Sequence, residues 1–307
     1  MRVELINLPF SNVMHRRLDP PLFLLQLAPK LEPNFRVRIN DLNGIDSSQW
    51  AFGHCLIYIL YIDNRGFSLA ESIAKQCLDV NKNAIIIACG SGPSKAITKY
   101  VQNDLFNVII RGEPESAIVN FIQDYFNRED CSDKVYKGEV RNLNSLPLPS
   151  RGLIDLNSYF RKLDGRKATM VVTTRGSPYR PHWLCEGLKT FSVPRVMNEV
   201  ESISQTYGIR HFFFGDEAFC FDKQRALDIG KGMHERGLKF GFNDLVSNVR
   251  IELYKELAKV GCKEITLNPF GNKDTTFINS MRAKIEEEAG IKVILRRESK
   301  YEPKTKK

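Results

Sequence analysis

The chain has 307 residues, of which 42% are apolar and 26% are charged, and its formal net charge is +9 at pH 7. This length allows two hydrophobic cores of about 130–150 residues each, so we expect two domains. No stretch reaches about 18 consecutive apolar residues and the N-terminus lacks a signal-peptide pattern, so we expect no membrane-spanning segment and a cytoplasmic location.

The cysteines argue against a disulfide-bonded protein, and the distribution of charge gives only weak support to a nucleic-acid-binding one. The cysteines are odd in number and lie at positions 55, 77, 89, 131, 185, 220 and 262, with no C-x-x-C pair. This spacing predicts reduced thiols and no disulfide framework. Basic residues crowd the end of the chain, and we predict a basic, disordered tail over residues 298–307. A nucleic-acid role rests on this charge alone, because no recognition motif accompanies it.

Alternating strand and helix patterns fill the first half of the chain. Apolar runs typical of buried strands cover residues 3–8, 36–41, 54–62, 84–88 and 108–111. Helical patterns cover residues 22–31, 68–78, 94–103 and 116–126. This alternation predicts an α/β domain with a Rossmann-like, doubly wound parallel sheet over residues 1–128.

A connector follows the first predicted domain. Residues 129–165 are predicted to be a linker, because charged residues are followed there by the prolines of the L-P-L-P-S segment at 146–150. From residue 166 to residue 297 the pattern is that of a partial (β/α) barrel. The linker therefore marks the predicted boundary between two domains.

The predicted barrel has five strands. They cover residues 170–174, 211–214, 240–242, 264–267 and 292–295, and the helices cover residues 193–207, 223–236, 251–260 and 276–289. The aromatic residues at 212–214, 219 and 221 are predicted to lie in the core. The last strand leaves an open edge, which another chain could cover or which remains short and charged.

One segment directly after the first barrel strand carries a recognisable motif. Residues 173–187 read T-T-R-G-S-P-Y-R-P-H-W-L-C-E-G. This segment resembles the loop T-x-R-G-C-P-Y-x-C-x-x-C of the class B radical S-adenosylmethionine proteins, which carry an N-terminal cobalamin-binding domain. The matching residues are Thr174, Arg175, Gly176, Pro178 and Tyr179. In that family the three cysteines of the loop hold a four-iron four-sulfur cluster.

The three cysteine positions of this loop are changed in the present chain. They are occupied by Ser177, Pro181 and Leu184, none of which supplies a thiolate, and Cys185 is one residue out of register. Because such a cluster needs soft sulfur ligands, we expect this chain to hold no iron-sulfur cluster. His182 and Cys185 have the spacing of a metal-ligand pair, but packing is the alternative interpretation, and we predict no metal site.

The first half also resembles the cobalamin-binding domain of the same family. The similarity lies in the segments L-I-N-L-P at the start, A-C-G-S-G-P at 88–93 and I-R-G-E-P-E at 110–115. The resemblance implies cobalamin contacts at Gly90, Ser91, Gly92, Gly112 and Glu113. The alternative for the glycines is a tight strand-to-helix turn. No D-x-H-x-x-G motif is present, and His15 is interpreted as a surface histidine.

The resemblance also implies ligand contacts at the mouth of the barrel. The candidate residues follow the second and third barrel strands and are Asp216, Glu217, Asn243 and Arg250. Active sites of barrels lie at this end of the strands, although carboxylates that start a helix are an equally good interpretation. Through these positions the family resemblance implies S-adenosylmethionine as a second cofactor beside cobalamin.

The resemblance leads to three functional hypotheses. In the first, the chain is a non-catalytic accessory subunit that keeps the fold, binds cobalamin and works beside a cysteine-complete radical S-adenosylmethionine enzyme, or pairs with itself as a homodimer. In the second, it is a methyltransferase that uses cobalamin or S-adenosylmethionine without a cluster. In the third, it is a basic protein associated with nucleic acid.

Overall fold

The computed structural model describes residues 1–9, 17–63, 66–127, 133–179, 182, 185–269 and 274–296. The chain divides into two compact units, and the segment Arg175–Thr190 belongs to the first of them although its flanking residues belong to the second. The first unit is Met1–Phe160 with Arg175–Thr190, and the second is Arg161–Thr174 with Phe191–Lys307.

The first unit is built on a sheet of six parallel strands. They are β1 (Arg2–Asn7), β2 (Arg36–Asp41), β3 (Ile57–Tyr61), β4 (Ile85–Cys89), β5 (Val108–Gly112) and β6 (Val135–Gly138), in the order β2-β1-β3-β4-β5-β6. This is the doubly wound order, with its reversal between β1 and β3. The strand β6 lies within the predicted linker of residues 129–165, and it pairs with β5 through four residues, from Ile109↔Val135 to Gly112↔Gly138.

Helices cover both faces of this sheet. They are α1 (Leu22–Leu31), α2 (Phe67–Val80), α3 (Ser91–Lys95), α4 (Ile97–Val101) and α5 (Pro114–Asn127). Successive strand residues face opposite sides, so Ile59 joins the core under α1 and α5, while Leu60 joins the core under α2. The single helix predicted over residues 94–103 is instead two short helices, which meet at Ala96, a residue outside the helical φ/ψ region.

The second unit contains a sheet with five parallel strands and one antiparallel strand. The strands of this half of the chain are β7 (Lys162–Leu163), β8 (Arg166–Val171), β9 (Thr174–Gly176), β10 (Leu188–Thr190), β11 (His211–Phe214), β12 (Lys239–Leu245), β13 (Cys262–Asn268) and β14 (Lys292–Leu295). The sheet order is β14-β13-β12-β11-β8-β7, while β9 and β10 form a separate pair. Five parallel strands are therefore present as predicted, but the first of them is observed at Arg166–Val171 and not at the predicted 170–174, and β7 is an addition.

Four helices follow parallel strands in the described part of the second unit, and three of them begin with a side-chain cap. They are α6 (Val193–Tyr207), α7 (Lys223–Glu235), α8 (Ile251–Lys259) and α9 (Thr275–Ala289). Ser192, Asp222 and Asp274 accept hydrogen bonds from the first-turn amides of α6, α7 and α9. None of the described helices has the length and apolar character needed to cross a membrane.

Aromatic side chains form the core of the second unit. Phe214 stacks on Phe219 with ring centroids 4.8 Å apart, and Phe219 stacks on Phe242 at 4.9 Å. The prediction that residues 212–214 and 219 are core is correct, since all four are buried. The same prediction is wrong for Phe221, which is 44% exposed because it ends a short 3-10 turn at the surface.

Candidate functional sites at the strand ends

The carboxyl ends of β1 and β2 carry a buried polar network in the first unit. The Asn7 side chain donates to Asp41 Oδ1 at 2.8 Å, and the Tyr159 hydroxyl donates to Asp41 Oδ2 at 2.8 Å. Ligands of doubly wound sheets bind at this edge, near the reversal of strand order. The sequence analysis missed these residues, although polar residues that end buried strands are a readable signal. His15 lies outside the described residues.

Gly90 and Gly92 pack against the backbone that follows β3. Gly90 has φ +109, and a Cβ there would lie 2.5 Å from the Ile62 carbonyl oxygen. A Cβ on Gly92 would lie 2.3 Å from the Asp63 carbonyl oxygen. A side chain at either position would collide with this backbone, so a tight strand-to-helix turn is enough to explain why both residues are glycine. Their contact with cobalamin stays a prediction.

Ser91 and Gly112 lie at the ends of neighbouring strands. Ser91 is half-buried and begins α3, and Gly112 ends β5 with φ +91. The Ser94 hydroxyl links these ends, because it donates to the Gly90 carbonyl oxygen at 2.8 Å and accepts from the Gly112 amide at 3.0 Å. The structure therefore brings the four glycine and serine positions predicted for cobalamin to one edge of the sheet.

Glu113, the fifth predicted cobalamin residue, is buried and already fully engaged. Its Oε1 accepts from Arg175 Nη1 at 3.2 Å, and its Oε2 accepts from Lys189 Nζ at 2.6 Å and from the Val140 amide at 2.9 Å. Both oxygens therefore have partners within the first unit. Arg175 and Lys189 come from the segment that carries the cluster-loop motif.

Glu115 completes a group of four charged side chains, Glu113, Glu115, Arg175 and Lys189, which we call the buried ion cluster. Glu115 Oε1 pairs with Arg175 Nη2, whereas Glu115 Oε2 is buried and has no hydrogen-bond partner in the described part of the chain. Burial opposes the charge on Arg175, but Glu115 and then Glu113 outweigh it, so the pKa of Arg175 is raised. Two carboxylates and two cations leave the cluster without net charge.

In the described part of the loop of residues 175–190, Gly176 lies against the backbone of Gly187. Gly176 has φ +89, and a Cβ there would come 1.9 Å from the Gly187 carbonyl oxygen. Ser177 is buried, and its hydroxyl accepts from the Tyr179 amide at 3.2 Å. The Cys185 thiol donates to the Gly187 carbonyl oxygen at 3.9 Å. Pro181 and Leu184 lie outside the described residues.

Asp216 closes the end of the first barrel strand in the second unit. It is buried and accepts four hydrogen bonds, from the amides of Thr173 and Thr174 at 2.7 and 2.8 Å and from their hydroxyls at 2.6 and 2.9 Å. Burial raises the pKa of Asp216, and these hydrogen bonds counteract the rise. Its neighbour Glu217 is half-buried. The carboxylate of Asp216 is therefore occupied by the amides and hydroxyls of Thr173 and Thr174.

Arg225 links Thr173 and Phe191, the residues of the second unit that lie on either side of the loop. Its guanidinium donates to the carbonyl oxygens of Thr173 at 3.0 Å and Phe191 at 2.9 Å. The Phe191 amide also donates to the Thr173 carbonyl oxygen at 3.0 Å. The sequence analysis missed Arg225, because nothing local marks a helix residue that reaches two distant carbonyl groups.

A second buried carboxylate lies at the end of β12. Asp244 accepts from Asn248 Nδ2 at 2.9 Å, from the Tyr254 hydroxyl at 3.0 Å and from the Leu245 amide at 2.9 Å. Burial raises the pKa of Asp244 to about 6. Among the predicted mouth residues nearby, Asn243 is half-buried and Arg250 is exposed. The network of Asp244 thus fixes the start of α8, while the ligand contacts of Asn243 and Arg250 stay predictions.

Comparison with known proteins points to enzymes that use cobalamin and S-adenosylmethionine. No family model matches the chain. An uncharacterized methyltransferase of Pyrococcus horikoshii is 24% identical over 300 residues, which cover 86% of this chain and 64% of that protein. The anaerobic magnesium-protoporphyrin IX monomethyl ester cyclase of Cereibacter sphaeroides is 22% identical over 253 residues, 70% of this chain and 41% of that protein. The chain therefore spans less than two thirds of these curated relatives.

Solved structures settle the fold. The radical S-adenosylmethionine methyltransferase TsrM from Kitasatospora setae, with cobalamin and a [4Fe-4S] cluster bound, matches with a TM-score of 0.66 and 16% identity over 96% of this chain and 68% of TsrM. The cobalamin-dependent radical enzyme OxsB matches with a TM-score of 0.70 and 19% identity, over 96% of this chain and 48% of OxsB. This chain has the fold of cobalamin-dependent radical S-adenosylmethionine enzymes. The predicted fold class and the family resemblance are confirmed.

The described residues of the loop do not supply the three thiolates that a [4Fe-4S] cluster, such as the one TsrM holds, needs. Ser177 offers a hydroxyl that is buried and engaged by the Tyr179 amide. Cys185 is the remaining sulfur in the loop, and burial, followed by the charge of Glu113, raises the pKa of its thiol. A raised pKa disfavours the thiolate that binds iron. Within the described residues, no group of three or more His, Cys, Asp and Glu side chains is arranged to hold a metal ion.

The first unit has two features that match the chemistry of a cobalamin-type ligand. The edge that carries Ser91 and Gly112 is the ligand-binding edge of a doubly wound sheet. Glu115 Oε2 is a buried acceptor without a partner in the described chain, and such a group fits the N–H of an amide, which the corrin ring carries in its side chains. Glu113 offers no such acceptor, because both of its oxygens are engaged.

Proposed function

We propose that this chain is a non-catalytic accessory subunit, which keeps the fold of the cobalamin-dependent radical enzymes and works beside a cysteine-complete member of that family. The proposal rests on the residues of the loop, which lacks the three cysteines and whose charged side chains are engaged elsewhere. Its three ligand positions are Ser177, Pro181 and Leu184, and its charged residues Arg175 and Lys189 instead pair with buried carboxylates of the first unit.

The proposal follows from what the missing group would do. In a radical S-adenosylmethionine enzyme the cluster supplies the electron that cleaves the sulfonium, and the protein supplies binding and orientation. A loop without thiolates removes the electron source but leaves the binding surfaces. Both units keep their apolar cores, three helices of the second unit keep N-terminal side-chain caps, and Ser177 has a hydrogen bond from the Tyr179 amide. These features support a function that needs the fold.

Co-purification from the native host tests the accessory role. We expect the protein carrying a C-terminal affinity tag to be recovered with a second chain whose loop contains the three cysteines. A tagged Lys75→Met variant, which removes an exposed cation of α2, is the matched control and should recover that chain as the wild type does. Recovery as a lone monomer that transfers a methyl group from S-adenosylmethionine would contradict the proposal and favour the cluster-independent methyltransferase.

Cobalamin binding is a separate expectation of the proposal. Hydroxocobalamin should bind the first unit in the base-off form, because the chain has no D-x-H-x-x-G histidine for the cobalt. Ser91→Trp places a large ring on the carboxyl edge of the sheet and should weaken binding by about tenfold or more. A spectrophotometric titration measures the affinity, and the absorption spectrum of the bound cobalamin shows whether it is in the base-off form.

A matched control places the same ring at the opposite end of β4. Asn83 is exposed and precedes that strand, so Asn83→Trp should bind hydroxocobalamin as the wild type does. Absence of binding by the wild-type protein at about 100 micromolar would remove the cofactor from the proposal and leave a purely structural subunit. Equal weakening by both variants would place the cofactor elsewhere.

A further inference from the structure

The strand β14 ends the sheet that the described residues of the second unit form. It pairs with β13 in parallel, with Ile265↔Val293 and Leu267↔Leu295 in register. The Arg296 amide donates to the Leu267 carbonyl oxygen at 2.9 Å. Because successive backbone groups of a strand alternate in direction, the amides of residues 292, 294 and 296 point to β13. The amides of Val293 and Leu295 therefore point to the outer edge.

One of these two outward amides already has a partner from the preceding helix. The Val293 amide donates to Glu286 Oε1 at 3.1 Å. Glu286 lies in α9 and is about one third exposed, and Arg282, one helical turn earlier, approaches its Oε2 at 3.3 Å. The carboxylate thus reaches from the helix to the sheet edge, while Arg282 pairs with it on its exposed side. Val293 itself is buried, so the capped amide lies on an ordered part of the strand.

A strand added to this edge would need the amide that Glu286 occupies. Pairing at a strand edge makes one hydrogen bond to each outward backbone group. Here it would also bury the Glu286 carboxylate against the incoming backbone, and desolvation of that charge is unfavourable. The cost doubles when the incoming strand is β14 of a second copy. A two-fold interface joins the same patch of both chains, so two Glu286 carboxylates would meet across it.

We propose that Glu286 keeps the outer edge of β14 from pairing with a second copy of this chain. Ile294 lies on the edge strand itself and is 39% exposed, so self-pairing becomes favourable once the cap is removed, because this side chain would be buried in the new interface. Glu286 is therefore an interaction-controlling residue, and contacts of the wild-type protein with other chains use surfaces other than this edge.

The test compares three variants by light scattering after size-exclusion chromatography, at about 1 to 100 micromolar protein. Glu286→Ala removes the cap, and its mass should rise with concentration to twice that of the wild type. Glu286→Gln keeps an oxygen that can accept from Val293, so it should behave as the wild type does. Arg282→Ala leaves the cap in place and controls for loss of the ion pair, and it should also match the wild type.

A proline substitution in β14 and hydrogen exchange of the Val293 amide are two further tests. Leu295→Pro removes the other outward amide and should abolish the association of Glu286→Ala; association that persists would place the interface elsewhere and overturn the proposal. If Glu286→Ala does not fold, hydrogen exchange of the wild type decides, since the Val293 amide should exchange as slowly as that of Ile294. The proposal fails if Val293 exchanges like an exposed amide, or if folded Glu286→Ala keeps the wild-type mass at every concentration.

Discussion

Anaerobic reconstitution with iron and sulfide is expected to leave this protein without a stable four-iron four-sulfur cluster. The reason is chemical, because Ser177, Pro181 and Leu184 stand where three thiolates are needed, and a single thiol cannot replace them. Cys185 is buried beside Gly176, and burial raises the pKa of its thiol. Cluster assembly is measured by iron content, visible absorption and electron paramagnetic resonance, and we expect no cluster signal in any of them.

A cysteine-complete family member, reconstituted in parallel, is the positive control for this experiment. The matched variant of the present chain is Cys185→Ala, which should give the same absence of signal as the wild type. A stoichiometric cluster in the wild type that disappears in Cys185→Ala would show that the loop binds iron in a shifted register. The accessory-subunit proposal would then lose its main support.

Arg175→Met is expected to be the most destabilising single substitution in the loop. Arg175 is 14% exposed and pairs with Glu113 and Glu115, each 1% exposed. Removing one partner of a buried ion pair leaves a carboxylate uncompensated, and this costs about 3–5 kcal/mol of the free energy of unfolding. Lys189 still compensates Glu113, so the effect should come mainly from Glu115. Denaturant unfolding monitored by circular dichroism gives the value.

Two controls separate the buried charge from a general effect of the substitution. Lys75→Met removes an exposed cation from α2 and should change stability by about 0.5 kcal/mol or less. Adding Glu115→Gln to Arg175→Met neutralises the carboxylate left behind and should restore part of the lost stability. Equal stability of Arg175→Met and the wild type would show that the buried ion cluster does not hold the loop in solution.

Local patterns in the sequence were enough to predict most elements of both units. The predicted bounds of α1 and α6 equal the observed Leu22–Leu31 and Val193–Tyr207. The reason is that α6 has Ser192 as its N-cap, Gly208 as its C-cap and an apolar face between them. Continuous apolar runs marked the buried parallel strands in the same way.

The strand β6 and the β7–β8 hairpin were not predicted from the sequence, for different reasons. The strand β6 reads V-Y-K-G and is half-exposed, so no apolar run marks it, and only its pairing with β5 makes it a strand. The β7–β8 hairpin had a readable signal, because Asp164 and Gly165 form a two-residue turn with both φ angles positive. The dipeptide Asp-Gly is a strong indicator of such a hairpin turn.

The sequence by itself determined the fold class and the loss of the cluster ligands, because strand and helix periodicity is local and ligand chemistry depends only on residue type. The tertiary structure alone decided where the loop belongs. Arg175 and Glu113 are 62 residues apart in the sequence, and Lys189 and Glu113 are 76 apart. No local pattern encodes such pairs, since they form only when the sheet brings the end of β5 to the loop. The cap of Val293 by Glu286 likewise depends on how α9 packs beside β14.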